Sequence, residues 1–313
     1  MNQNNRITLL EKIGYSLGDV AINVLLQILA VLLLKNVSDL IGLAAAACVA
    51  MAYVFILILS RWSMSPYFNK NRPAAIRIGM STLLGSRSLR VIVVVTLLVY
   101  ISLSMRCAVI SFYFHDYVDR QSLSAWLNGW GFAVDRELAY AVGLTFFLFV
   151  SAIIQIVAMV VYSVNRHKGL SEKVLFGILL ILTAFSLALF YVAQPDDIGL
   201  MFMLCIISSL TYAPTIIILW NIVCDVSYVI EYSSNQNVTG FSFSAIAFAL
   251  KAGIALGMAF AALTLMASGY VSESYIIQSW TVLQGIRWAC SIFPALFILA
   301  GVIILFKYPI NGR

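Results

Sequence analysis

This chain predicts an all-α, polytopic membrane fold, and three observations carry the prediction. Apolar residues make up 62% of its 313 residues and charged ones 10%, with a mean hydropathy of +0.98. That balance would leave a soluble globule with no polar skin. The apolar residues gather into eight long runs, at about 13–34, 41–60, 91–114, 138–164, 174–194, 198–222, 241–269 and 284–306, each near the roughly 20 residues that a spanning helix needs. Leu, Ile, Ala and Phe fall on every face of these runs, which does not fit the alternating segments of about ten residues that form transmembrane strands.

Each run has its own reading. The first carries Asp19 within its apolar core and is followed by no clear small-residue cleavage site, so it reads as a retained helix and not a secretory signal. The second is short. Residues 61–90 break the pattern: they are basic, contain Pro66 and Pro73, and read as a cytoplasmic linker that either rests on anionic headgroups, where each Lys or Arg contributes about 1 kcal/mol, or makes a regulatory contact. Six further runs follow. The chain therefore divides into a two-helix part at 1–60, the linker at 61–90 and a six-helix part at 91–313. In the sixth run Pro214 lacks the N–H that a helix interior uses, which predicts a kink; Tyr212 and Trp220 beside it are candidates for a cavity wall. Gly253 and Gly257, with Ala249, form a small-residue stripe that lets helices approach closely. Trp126, Trp130, Trp280 and Trp288 lie in or beside loops and predict an interfacial aromatic belt.

The net charge of +6 belongs to topology and not to nucleic-acid binding. With the N-terminus in the cytoplasm, Arg61, Lys70, Arg87, Arg90, Arg166, Lys173 and Lys307 lie inside, and only Lys35, Arg120, Arg136 and Arg287 lie outside. This is the positive-inside bias. An even number of spans returns the C-terminus to the cytoplasm, and Asp116, Asp119, Asp135 and Glu137 fall outside. The chain is expected to be a multi-pass protein of the plasma membrane. Five cysteines, Cys48, Cys107, Cys205, Cys224 and Cys290, sit in or at the ends of apolar runs without C-x-x-C spacing and read as small buried hydrophobes. His115 and His167 lie on opposite sides of the membrane, where helix-end solvation explains both, and no metal site or cofactor is expected. No nucleophile triad, phosphate loop or deep carboxylate pair points to an enzyme.

Asp19 and Lys251 are unlike charges that lie inside apolar runs. A charge at the centre of a membrane helix costs roughly 2.5–3.5 kcal/mol on an insertion scale, so such residues usually line a ligand or ion path. Two readings stand here, a substrate site and a structural ion pair, with snorkelling of Lys251 to the interface as a third.

Glu11, Lys12, Tyr15, Gly18 and Asp19, in LLEKIGYSLGDVAINVLLQIL, resemble the first helix of the glycoside-pentoside-hexuronide:cation symporters, a group of the major facilitator superfamily, which commonly reads E-K-x-x-Y-x-x-G-D. A second stretch, DVSYVIEYSSNQNVTGFSFSAIAFALKAGIAL, places Asp225, Glu231, Gly240, Lys251, Gly253 and Ala255 in the order of the family's cytoplasmic turn and eleventh helix. Arg106 is similar to the arginine of the seventh helix in many members.

The resemblance implies a twelve-helix transporter in two halves, with sugar bound near the midplane and a cation driving uptake by alternating access. It implies that Asp19 accepts sugar hydroxyls, that Lys251 balances its charge, that Tyr15, Arg106 and Trp220 line the substrate path, and that Asp225 and Glu231 belong to a cytoplasmic motif. Two departures matter. Eight runs stand against twelve, and the family's D-x-x-x-D-P on its second helix is not found, so much of the N-terminal half falls away between residues 41 and 73. In the cytoplasmic motif, Tyr228, Val229 and Asn237 replace the family's Asp, Tyr and Arg. With Asp19 the one acid deep in a run, a proton is easier to couple than sodium, which needs several oxygen ligands. Two functions follow: a cation-coupled sugar symporter, working alone or completed by self-association as a homo-oligomer, or a non-transporting deleted relative with at most a binding role.

Overall fold

The computed structural model describes residues 85–165, 171–234, 239–271 and 278–307. The first two apolar runs, with Tyr15 and Asp19, and most of the 61–90 linker lie outside the described residues. Every later run is helical. The described elements are α1 (Arg87–Phe112), α2 (Arg120–Gly129), α3 (Arg136–Asn165), α4 (Glu172–Leu189), α5 (Ile198–Ser234), α6 (Thr239–Ser268), α7 (Trp280–Arg287) and α8 (Phe293–Lys307). Two π-helical turns join them: Tyr113–Tyr117 extends α1, and Trp288–Ile292 links α7 to α8. Among the described residues, six segments are long and apolar enough to cross a membrane: α1 with its π turn, α3, α4, α5, α6, and α7 through α8.

The element boundaries shift from the sequence expectation for local reasons. Helix α1 begins at Arg87 and not near 91, because Ser86 Oγ accepts the Leu89 N–H at 3.4 Å and supplies one of the acceptors that a helix start lacks. The last four residues of the predicted linker are therefore helical. The connection between α1 and α3 contains a helix where the sequence predicts a loop. Asp119 caps α2 by accepting the Ser122 N–H at 2.8 Å, and Leu123 and Leu127, one turn apart, are fully buried beneath it. Helix α5 continues through Pro214 to Ser234 and does not end near 222. Pro214 costs it one backbone bond, but Ala213, Thr215 and Ile216 around it are buried and α5 packs against both α3 and α4, so tertiary contacts hold the helix where propensity would end it. Asp225 and Glu231 consequently stand on a helix and not in a turn.

Among the described helices, α1 and α6 pack together most extensively. Ala249, Gly253, Gly257 and Ala261 recur every four residues on the buried side of α6 and so form one stripe. A Cβ added at Gly253 would lie 2.8 Å from the Leu97 carbonyl oxygen, and one at Gly257 would collide with Ser104 Oγ and the Ile101 carbonyl oxygen. Ser104 Oγ also donates to the Gly253 carbonyl at 3.3 Å. The small-residue stripe thus packs within the chain. Among the described residues the core has two parts. One, around Leu89, Phe176, Leu180, Val223 and Leu305, lies toward the start of α1. The other, rich in aromatics around Tyr113, Phe114, Phe147, Phe190 and Phe202, lies toward its π-helical end. Trp130 and Trp280 are exposed as a belt requires, but Trp126 turns inward and stacks on Phe202 at 4.6 Å. Among the described cysteines, Cys205 and Cys290 are buried as expected and Cys224 is exposed.

Candidate functional site

At the seam of the two core parts lies a cavity of about 80 Å³. That is several times the roughly 10–15 Å³ needed to hold one water. Helix α1 supplies one whole wall: Val99, Ser102, Leu103, Arg106, Cys107 and Ile110 recur at the spacing of one helical face. Facing walls come from α3 (Phe147, Ser151, Gln155), α4 (Thr183, Leu187), α5 (Cys205, Ser208, Ser209, Tyr212) and Ile298 of α8.

Arg106 is the one charged residue on this lining. It lies 11 residues before Tyr117, about 16 Å along the axis from that end of the span. Its guanidinium sits over the Phe190 ring, 4.1 Å from the centroid. Arg106 Nη1 is buried with no hydrogen-bond partner among the described residues, and so is Ser102 Oγ nearby on the same face. Around them runs a belt of paired polar groups. Gln155 Nε2 donates to Ser151 Oγ at 2.9 Å, the Ser151 and Ser209 hydroxyls pair at 2.8 Å, and those of Thr183 and Thr211 pair at 2.8 Å. The site therefore offers one cation with unused donors and a ring of hydroxyl and amide groups in an apolar shell. At about 80 Å³ the space holds a few waters and is well below the roughly 300–1,000 Å³ of ligand pockets.

Of the residues predicted from sequence, the structure brings Arg106 and Tyr212 together on this cavity. Trp220 is elsewhere: it stacks on Phe243 of α6, 5.6 Å between centroids and 10° between planes. Lys251 is exposed on α6, off the buried stripe of Ala249, Gly253 and Gly257 and not on the cavity lining. Asp225 is exposed. Glu231 fastens the connection between α5 and α6: one carboxylate oxygen accepts the Thr239 N–H at 3.0 Å and the Thr239 hydroxyl at 2.6 Å. Sequence reasoning missed Ser102, Ser151, Gln155 and Ser209. Their signal was there, as polar residues inside apolar runs, and Gln155 was the plainest.

A second polar group closes the same end of the bundle as the π turn of α1. His115 Nδ1 pairs with Asp116 Oδ1 at 2.8 Å, and the Tyr270 hydroxyl donates to Asp116 Oδ2 at 3.3 Å. Burial, and then the Asp116 charge, push the Tyr270 phenol up to about 12. His115 is thus bonded and not simply solvated. Arg287 lies between the Tyr117 and Tyr191 rings, 5.1 and 4.4 Å from their centroids, and donates to the Tyr191 carbonyl. No group of three His, Cys, Asp or Glu side chains among the described residues could hold a metal.

Residues 62–312 match the model of the family described as MFS/sugar transport protein. Two curated relatives align with shorter stretches. An uncharacterized symporter of Synechocystis sp. is 31% identical over 125 residues, which is 39% of this chain and 23% of that protein. A glucuronide carrier protein homolog of Escherichia coli (strain K12) is 28% identical over 107 residues, 34% of this chain and 23% of that protein. Each match thus covers about a quarter of the relative's own length.

Proposed function

Since the chain belongs to the MFS/sugar transport protein family, we propose that it is a secondary transporter of sugars, moving substrate by cation-coupled symport and alternating access. The observation that supports this reading best is the cavity at Arg106: a polar, partly unsatisfied site near the middle of membrane-spanning helices, walled by five of them. Sugar hydroxyls would exchange hydrogen bonds with the Ser151, Gln155 and Ser209 groups, which are now paired with one another. On the positive-inside bias, the end of the bundle carrying Arg87, Arg90, Lys173 and Lys307 faces the cytoplasm, which places the His115 and Arg287 clusters on the external side. Asp19 and Lys251 complete the proposed path. Among the described residues no carboxylate stands near the middle of a span, so the coupling ion falls to Asp19. A single carboxylate serves a proton better than sodium.

The test is uptake of a panel of radiolabelled glycosides and uronides into cells expressing the chain, beside Asp19→Asn and Arg106→Gln variants, with membrane insertion confirmed. Saturable uptake that the variants abolish is expected, and collapse of the proton gradient should remove accumulation. A second reading, a non-transporting relative, rests on the eight apolar runs counted where the resemblance implies twelve. Correct insertion with no uptake of any sugar would favour it.

A further inference from the structure

We propose that a file of water molecules runs along one face of α1 and joins the cavity to the Arg287 end of the bundle, so that the cavity exchanges its water with the outside while the helices stay packed around it. Buried polar atoms nearly always have a hydrogen-bond partner. Among the described residues, four that lack one are Ser102 Oγ, Arg106 Nη1, Tyr113 Oη and Arg287 Nε, and they fall in a row. Ser102, Arg106 and Tyr113 are four and seven residues apart along α1 and its π turn, which keeps them on one face. Arg287 continues the row. The Arg106 guanidinium lies 4.1 Å from the Phe190 centroid, the Phe190 and Tyr113 rings are 6.5 Å apart, the Tyr113 and Tyr117 rings 4.9 Å, and the Arg287 guanidinium lies 5.1 Å from the Tyr117 centroid. Each member thus neighbours the next.

The spread of the row identifies what fills it. From Ser102 to Tyr117 is 15 residues, about 22 Å by helical rise, so no single small ligand reaches every unpartnered atom. The row mixes guanidinium N–H groups, which only donate, with hydroxyls, which donate and accept. Water does both, and buried waters typically bond to polar groups that the protein leaves unpaired. At the inner end the cavity of about 80 Å³ has room for a few. Toward the other end of α1 the same face turns apolar: Val99, Val95 and Ile92 are buried, and the Thr96 hydroxyl is bonded to the Ile92 carbonyl at 2.8 Å. The file therefore opens at Arg287, where the guanidinium is half-buried and donates to the Tyr191 carbonyl. It needs no sugar and no transport cycle.

The test is radiolytic labelling of the full chain in phospholipid vesicles: an X-ray pulse turns water into hydroxyl radicals where it lies, and mass spectrometry locates the oxygen added. Tyr113 is compared with Phe114, an aromatic neighbour buried to the same 1% exposure that packs on Phe147 instead. After correction for intrinsic reactivity, Tyr113 is expected to label at least about fivefold faster. Mixing with water that carries a heavy oxygen isotope, milliseconds before the pulse, should place that isotope on Tyr113. Arg287→Met, which makes the mouth apolar, should slow its arrival at least about threefold. The unfolding temperature of Tyr113→Phe should not rise, because the hydroxyl removed has water as its partner. Labelling of Tyr113 no faster than Phe114 overturns the proposal, as would follow if an acid of this chain paired with the guanidiniums and left the row dry. Fast labelling without the heavy isotope overturns it in favour of sealed waters. Unchanged exchange in folded Arg287→Met overturns the mouth and with it the path; if that variant does not fold, wild-type labelling and isotope uptake decide. A higher unfolding temperature for Tyr113→Phe also overturns it, since it marks a hydroxyl that had no partner.

Discussion

Gly257 shows how a single residue sets the approach of two spans. In lipid there is no hydrophobic drive between helices, so close packing must supply the attraction, and small residues permit it. An added Cβ at Gly257 meets the Ile101 carbonyl as well as Ser104 Oγ. A hydroxyl can rotate away, whereas a helix backbone cannot. Gly257→Ala is therefore expected to destabilise the chain by about 1–3 kcal/mol through overpacking, read as a lowered unfolding temperature in detergent. Gly199→Ala is the control, because nothing lies within 4 Å of the added atom; equal effects of the two would refute the packing argument. The stripe itself was legible in the sequence, but the helix it faces was not, because spacing identifies a face and not its neighbour. The site was legible to the same degree. Arg106 is singled out only by its similarity to the arginine of the family's seventh helix. Ser102 is not, because a serine in a membrane helix usually bonds back to its own backbone, as Ser104 does to the Tyr100 carbonyl at 2.8 Å. Only three-dimensional placement distinguishes the hydroxyl left unpaired.

Among elements, the long spans were the easiest to read and their ends the hardest. Continuous apolar runs fix that a helix crosses the membrane, because every backbone polar group in hydrocarbon must be satisfied within it. Where the run stops, side-chain caps and tertiary contacts decide, which is why α2 and the two π turns could not be read from periodicity. One of those ends carries a pH-dependent contact. Tyr270, just beyond α6, donates to Asp116 in the π turn of α1 and so ties the ends of the two most extensively packed of the described spans. Its phenol is raised from the ordinary 10.0 to about 12, by burial first and then by the Asp116 charge. The folded chain therefore keeps a proton that the unfolded chain releases near pH 10. The resulting stability is complete below pH 10 and is lost as pH rises toward 12. Tyr270→Phe removes the titrating group, so between pH 10 and 12 its unfolding temperature should fall less steeply than that of wild type. Parallel curves would refute this. Tyr113 and Tyr117 are present in both chains and cancel in the comparison.

For the whole molecule, the question is what the outward face of α6 meets. One side of that helix is closed on α1 through Gly253 and Gly257, while Phe248, Leu256, Met258, Leu263 and Met266 stand exposed, with Lys251 among them. Lys251 is 12 residues from the start of α6 and 17 from its end, about 18 and 26 Å along the axis, too central to reach water at either end without cost. An ammonium there that served only as an accident of sequence would weaken the fold, at roughly 2.5–3.5 kcal/mol on an insertion scale. Removing it would then raise stability and leave transport unchanged. On the reading that Lys251 lines the substrate path with Asp19, the same change has the opposite functional result. Lys251→Met keeps the length and removes the charge, so it is expected to abolish uptake while leaving the unfolding temperature unchanged or higher. Both quantities come from one preparation, by transport into vesicles and thermal unfolding of the same protein. Retained uptake in a stabilised variant would show that the ammonium faces lipid and has no part in the path. A large loss of stability would show instead that it is one partner of a structural ion pair, because breaking such a pair leaves the other charge uncompensated.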